Sequence, residues 1–213
     1  LTPSTRSFVN QKIHFILSRR IIAITFNKLS ISCFVTMEPK SEVNPIWACR
    51  GFPAFPIALV AVGDPHSSSA CNVMTVVLVH VFSFDPPVIG VGVSPCRYTF
   101  ELMNKYDDFS INIPGKDLVE EVLFCGQKCG RETNKFEECG FTVTPGKKIG
   151  SPIIEECLVN LECKKKMVFD AGDHTWFLGE VVHALARQVE EREKALLYWS
   201  GEFRLIGNCI RKR

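Results

Sequence analysis

Beyond Pro53 the apolar residues fall into short runs that Gly, Pro, Asp or Ser interrupt every few positions, the texture of strands joined by turns. The runs are Ile57 to Val62, Cys71 to Val81, Val88 to Val93, Phe109 to Ile113, Ile154 to Lys164, Trp176 to His183 and Phe203 to Ile206. Two stretches read as helix. Thr99 to Tyr106 places Phe100, Met103 and Lys105-Tyr106 around a short amphipathic turn. Lys116 to Cys125 sets Leu118, Val122 and Leu123 on one face behind the breaker Pro114-Gly115. A third segment, 189-VEEREKALLYW-199, has helical composition but a strand-like aromatic end, so both readings stay open. Many strands, few helices and no βαβ alternation predict a mainly β fold, an antiparallel barrel with a few helical insertions.

One run stands apart. In 83-SFDPPVIGVGVSPCRYT-99 the alternation of a strand puts Val88, Gly90 and Gly92 on one face and Ile89, Val91 and Val93 on the other. The glycines empty one face, so a flat ligand or a neighbouring backbone has room to approach it. Ser94, Arg97 and Thr99 then lie between a strand end and a helix start, where two hydroxyls, a guanidinium and first-turn N–H groups can converge on a phosphate. The plainer alternative is that Thr99 caps the helix and Arg97 points to water.

Polar residues inside other apolar runs extend the candidate set. In 71-CNVMTVV-77, Asn72 and Thr75 face opposite ways on a regular strand, so at least one leaves the core through a bend, a bulge or a ligand. A strand edge there would present alternating donors and acceptors to a planar heterocycle. Asn112 in 109-FSINIP-114 is a third such residue, with turn formation before Pro114 as its other explanation. In 172-GDHTWFLGEVV-182, His174 stands at a strand mouth as a proton donor, a hydrogen-bond partner for substrate, or a turn residue paired with Asp173.

Composition narrows the function classes. With 213 residues, 46% hydrophobic and 23% charged, the chain can bury one substantial core. A net charge of +2 argues against a nucleic-acid surface; Lys164-Lys165-Lys166 and Arg211-Lys212-Arg213 read as a solvated loop and tail. No apolar run after residue 36 has the length of a membrane span, so the expectation is a soluble, cytoplasmic protein with no membrane partner. Residues 1–36 differ in texture. Arg19-Arg20 precede a short apolar stretch without a small-residue cleavage pattern, which predicts an N-terminal extension over 1–36 and a folded domain over 37–213, with ordinary texture beginning at Met37.

The ten cysteines show no paired CxxC rhythm. Cys125, Cys129 and Cys139 supply three soft ligands without a fourth, so free thiols and no metal site are expected. Neither a dinucleotide fingerprint nor a P-loop occurs, since 90-GVGVSP-95 lacks the third glycine, and no nucleophile elbow is present. Rossmann-type nucleotide binding and hydrolysis drop out.

In order, N-V-M-T at 72–75, S-F-D-P-P at 83–87, S-P-C-R-Y-T at 94–99, F-S-I-N-I-P at 109–114 and G-D-H-T-W-F-L-G-E-V at 172–181 resemble the flavin reductase-like, FMN-binding split-barrel family, over about residues 43–207. That family includes flavoredoxins and short-chain NAD(P)H:flavin oxidoreductases. The resemblance implies an antiparallel Greek-key split barrel, a homodimer, and FMN bound near the subunit boundary. Asn72, Val73, Met74 and Thr75 would line the isoalloxazine, Ser94, Arg97 and Thr99 would hold the phosphate, Asn112 joins them as a cofactor-binding candidate, and His174 would stand where NADH or NADPH arrives. It also brings Arg131 and Lys135 near the phosphate or the partner subunit. The implied activity is hydride transfer from nicotinamide to flavin N5; the alternative is a flavoredoxin-like electron carrier reduced by a protein donor.

Overall fold

The computed structural model describes residues 12–17, 20–27, 30–36, 40–50, 52, 54–67, 70–188, 194–208 and 211. Arg19 and Met37, singled out above, and Cys209, one of the ten cysteines, lie outside them. The chain divides into two compact units, Leu1–Ala48 and Cys49–Arg213. In the first, β1 (Lys12–Leu17), β2 (Arg20–Asn27) and β3 (Ser30–Thr36) form an antiparallel three-stranded meander. A short helix, α1 (Pro45–Arg50), spans the division.

The second unit carries β4 (Phe55–Pro56), β5 (Ala58–Gly63), β6 (Cys71–Val76), β7 (Val79–Phe84), β8 (Pro87–Val93), α2 (Tyr98–Lys105) and β9 (Asp108–Ile113). A 3-10 turn at Lys116–Leu118 then runs into α3 (Val119–Gln127), followed by α4 (Lys135–Glu138), β10 (Val143–Pro145), β11 (Pro152–Ile154), β12 (Val159–Ala171), β13 (His174–Ala186), β14 (Leu197–Trp199) and β15 (Glu202–Arg204). Seven strands make one sheet in the order β6-β5-β9-β12-β13-β8-β7, with every pairing antiparallel.

The two ends of this sheet are consecutive in the chain. The run Cys71 to Val81, one strand by its apolar pattern, is broken at Val77-Leu78: β6 pairs with β5, and β7 pairs with β8 at the far end. The Gly92 N–H donates to the Leu78 carbonyl at 2.8 Å, which ties the break to β8. The result is the mainly β, antiparallel split barrel expected from the sequence. The β7–β8 turn is Asp85-Pro86, with a cis peptide bond.

Two apolar layers hold the barrel. One gathers Val60, Val62, Met74, Val91, Val93, Phe109, Ile111 and Phe177 with Leu102 and Met103 of α2. The other puts Leu59, Ala61 and Val73 against Val122 and Cys125 of α3 and Ile154. Each large side chain removed from water contributes about 1.5–3 kcal/mol before entropy is counted. Ile89, Val91 and Val93 face the core, as alternation predicted.

Several local readings differ. The Ile154 to Lys164 run is two strands, because β11 ends at Ile154 and β12 begins at Val159. Lys164-Lys165-Lys166 is not a loop but part of β12. Its alternation sends Lys165 inward, where Nζ donates to the Met103 and Tyr106 carbonyls at 2.8 and 2.6 Å and closes the C-terminus of α2, while Lys166 pairs with Glu180 at 2.7 Å. Of the basic tail, Arg211 is exposed and residues 212–213 lie outside the described set. In 189–199, Leu197–Trp199 is strand and residues 189–193 lie outside the described set.

Candidate functional site

The split in the barrel opens a cleft between β6, the β8–α2 junction, the mouth of β13 and the loop after α3. It consists of two adjoining hollows that share Met74, Cys96, Arg97 and Gly126. The larger, about 340 Å³, is lined by Thr75 to Leu78, Gly92, Ser94 and His174. That lies at the lower end of the ~300–1,000 Å³ usual for small-molecule sites. The narrower hollow lies between Asn72 and Thr99 on one side and Lys128, Gly130 and Lys135 on the other.

β6 pairs with a strand on one side only, so its outer edge has no strand partner. Asn72 and Thr75 do point opposite ways. Asn72 Nδ2 donates to Thr99 Oγ1 at 2.8 Å, with both residues buried; Thr75 Oγ1 donates to the Val122 carbonyl of α3 at 2.6 Å. Thr99 is therefore not the helix cap. It is the second residue of α2, whose N-cap, Arg97, makes no side-chain capping bond, while the Phe100 N–H donates to the Arg97 carbonyl at 3.0 Å. A helix N-terminus beside a guanidinium favours an anion.

Lys135 strengthens that end. It is 3% exposed, and Nζ donates to the Val73 and Cys125 carbonyls at 3.0 and 2.9 Å. Burial pushes its ammonium below the ordinary lysine value, with Arg97 adding to the shift and the neighbouring thiols opposing it. Two cations, Arg97 and Lys135, thus border one hollow. Arg131 is engaged elsewhere: it pairs with Glu101 and lies over the Tyr98 ring, 5.1 Å from its centroid.

The cleft brings together Asn72, Met74, Thr75, Ser94, Arg97, Thr99 and His174. His174 lines the larger hollow while its Nδ1 meets Asp173 Oδ1 at 2.7 Å, so the turn pairing and the rim position coexist. That bond holds the Asp173 carboxyl below its usual range. Val73 sends its side chain into the outer core and offers only its carbonyl, to Lys135.

Asn112 does not line either hollow. Fully buried in β9, it donates to the Leu59 carbonyl at 3.0 Å and Ser110 Oγ at 2.9 Å, and accepts from the Ile154 N–H at 3.2 Å and Asn160 Nδ2 at 2.8 Å. Those bonds use both ends of its amide within the protein.

The glycines of β8 divide their work. A Cβ on Gly90 would lie 2.4 Å from Leu178 Cδ2 and 2.6 Å from Phe82 Cε2, so side chains already cover that position; Gly92 alone of the pair reaches the cleft. Sequence reasoning did not find Gly126, Gly130, Lys128 or Leu78. Gly130 is the sharpest of these, since a Cβ there would lie 2.1 Å from Asn72 Oδ1. Its only signal was the glycine pair flanking Gln127-Lys128-Cys129.

Residues 50–207 match the model of the flavin reductase like domain, and the chain belongs to that family. An uncharacterized protein of Pyrococcus abyssi is 38% identical over 128 residues, 60% of this chain and 73% of its own length. Flavoredoxin from Methanosarcina acetivorans superposes with a TM-score of 0.72 at 24% identity, covering 82% of this chain and 95% of that one. An NADH:FAD oxidoreductase from Streptomyces globisporus gives 0.69 at 22%, covering 80% and 100%. Among the described residues no helix is long and apolar enough to cross a membrane.

Proposed function

We propose that this protein binds FMN in the seam cleft and acts as an NAD(P)H-dependent flavin oxidoreductase. The observation that carries the reading is the meeting of Arg97 and Lys135 at the start of α2 in the narrow hollow, continuous with the wide hollow beside β6. The residues fit the cofactor. The narrow end suits a phosphate, and the wide end suits a ring with alternating donors and acceptors. Bound FMN supplies N5 as the acceptor of a hydride from nicotinamide.

Arg97 and Lys135 neutralise the phosphate, and Asn72, fixed on Thr99, shapes the wall beside it. The main chain of Met74 and Thr75 orients the ring along the strand edge, while Leu78 and Gly92 border its far end. His174, steered by Asp173, positions the reductant at the rim. The likeness to an NADH:FAD oxidoreductase of Streptomyces globisporus supports a nicotinamide donor. A second copy is a further element of the proposal. Phe84 on end strand β7 is 88% exposed, beside exposed Val81 and Phe82, and Met167, Val168 and Phe169 are exposed on β12. Light scattering that returns a monomer's mass removes this element.

An anaerobic absorbance titration of the FMN-loaded protein with NADH and then NADPH tests the function. Rapid bleaching by either is expected. A flavin that bleaches with dithionite but ignores both nucleotides makes the protein a flavoredoxin-like carrier reduced by a protein donor, and failure to bind FMN refutes the reading. Arg97→Ala is expected to weaken FMN binding most, His174→Ala to slow reduction most; equal losses in both variants refute the two roles.

A further inference from the structure

The wall formed by the loop after α3 is anchored at both ends by thiols. Cys125, in the last turn of α3, is fully buried, and Cys139, directly after α4, is partly exposed. Their sulfurs lie 3.8 Å apart although the residues are 14 apart in sequence. Between them run Gly126, Lys128, Gly130 and Lys135, all lining the narrow hollow. Lys135 Nζ on the Cys125 carbonyl adds a non-covalent tie beside the pair.

We propose that Cys125 and Cys139 are a redox-responsive pair that closes to a disulfide by exchange with small-molecule disulfides of the glutathione type and so staples the cleft wall. A disulfide needs its sulfurs near 2.05 Å, about 1.8 Å closer than here, a movement within reach of side-chain rotation at the partly exposed end. Cys139 reacts first, because solvent reaches it and not Cys125. Its proton goes to water, its thiolate attacks the incoming disulfide to give a mixed disulfide, and one small thiolate leaves. The Cys125 thiol then attacks the Cys139 sulfur, the new S–S bond forms, and the second small thiol departs with the Cys125 proton. Two protein thiols are oxidised and one small disulfide is reduced to two thiols. Burial raises both thiols above the ordinary value, most strongly Cys125, so the exchange quickens as pH rises and more thiolate forms. Closing this ring removes freedom from the 126–138 segment, and with it from that wall of the cleft.

The test incubates the full-length protein with oxidised glutathione, blocks remaining thiols and maps peptides by mass. The expected result is a Cys125–Cys139 cross-linked peptide two hydrogens lighter than the reduced pair, reversed by dithiothreitol, absent in Cys139→Ser, and accompanied by several-fold slower amide exchange over 126–134. Cys125 and Cys139 both recovered as blocked thiols, or Cys125 linked instead to Cys129 or Cys157, overturns the pairing. A cross-link that leaves exchange over 126–134 unchanged overturns the stapling. Mapping of the wild-type chain decides the pairing even if the variant does not fold, and none of these readouts depends on bound flavin.

Discussion

Gly130→Ala isolates the contact between the loop wall and β6. A methyl group at 130 would lie 2.1 Å from Asn72 Oδ1, 2.5 Å from Cγ and 2.9 Å from Nδ2, distances no real Cβ tolerates. The cause is contact, not backbone, because Gly130 is not among the residues with positive φ. Asn72 sits in β6, where it is registered opposite Val62, so its main chain is held and the amide must turn or the loop must retreat. Turning the amide breaks its 2.8 Å bond to Thr99 Oγ1 between two buried residues. A lost buried hydrogen bond with one partner stranded costs about 1–3 kcal/mol. On the proposed FMN-binding reading, ~1–2 kcal/mol carried into binding is roughly a 5- to 30-fold weaker Kd. Urea unfolding and quenching of FMN fluorescence read the two effects. The decisive comparison is a double-mutant cycle: with Asn72→Ala already in place, Gly130→Ala should cost little. An equal cost in both backgrounds refutes the contact as the cause.

Three further outcomes follow from the fold. Gly179→Ala should destabilise by about 1–3 kcal/mol in urea, because its Cβ would lie 2.8 Å from both Cys163 Cβ and Phe109 Cζ, neither with room to move; an unchanged midpoint refutes the overpacking. Lys165→Met keeps the stem but leaves the Met103 and Tyr106 carbonyls without their shared donor, and about 1–3 kcal/mol should be lost with faster exchange in the last turn of α2. Burial pushes the Cys71 and Cys163 thiols from 9.0 up to about 12, so the folded state holds those protons longer than the unfolded chain. Their contribution is complete below pH 9 and is lost as pH rises from about 9 toward 12; a flat unfolding midpoint across that window in Cys-intact protein contradicts it.

Much of the sheet was legible because short apolar runs end at turn residues, and Val88 to Val93, buried from Ile89 onward and stopped by Ser94-Pro95, shows it clearly. Arg97 and Ser94 were legible for the same reason that polar residues at a strand end are rarely idle. The break at Val77-Leu78 was not, since Val76, Val77, Leu78 and Val79 are all apolar and periodicity does not record where a strand changes partner. Asn112 misled because a buried amide satisfied by Leu59, Ser110, Ile154 and Asn160 has the same one-letter signature as one turned toward a ligand. Lys135 carried no local sign of burial: its two acceptors come from β6 and α3, distant in sequence, so only the folded arrangement reveals it.

The two residues between β6 and β7 also limit how the cleft can move. Val77 and Leu78 are a tether that lets the Val76 and Val79 Cα atoms lie at most about 11 Å apart, and they join the two ends of the sheet like the spine of a bound book. The walls cannot part along that line, whatever happens to the hydrogen bonds nearby. Any gaping is confined to the opposite side, where Lys128, Gly130 and Cys129 form a loop instead of a strand.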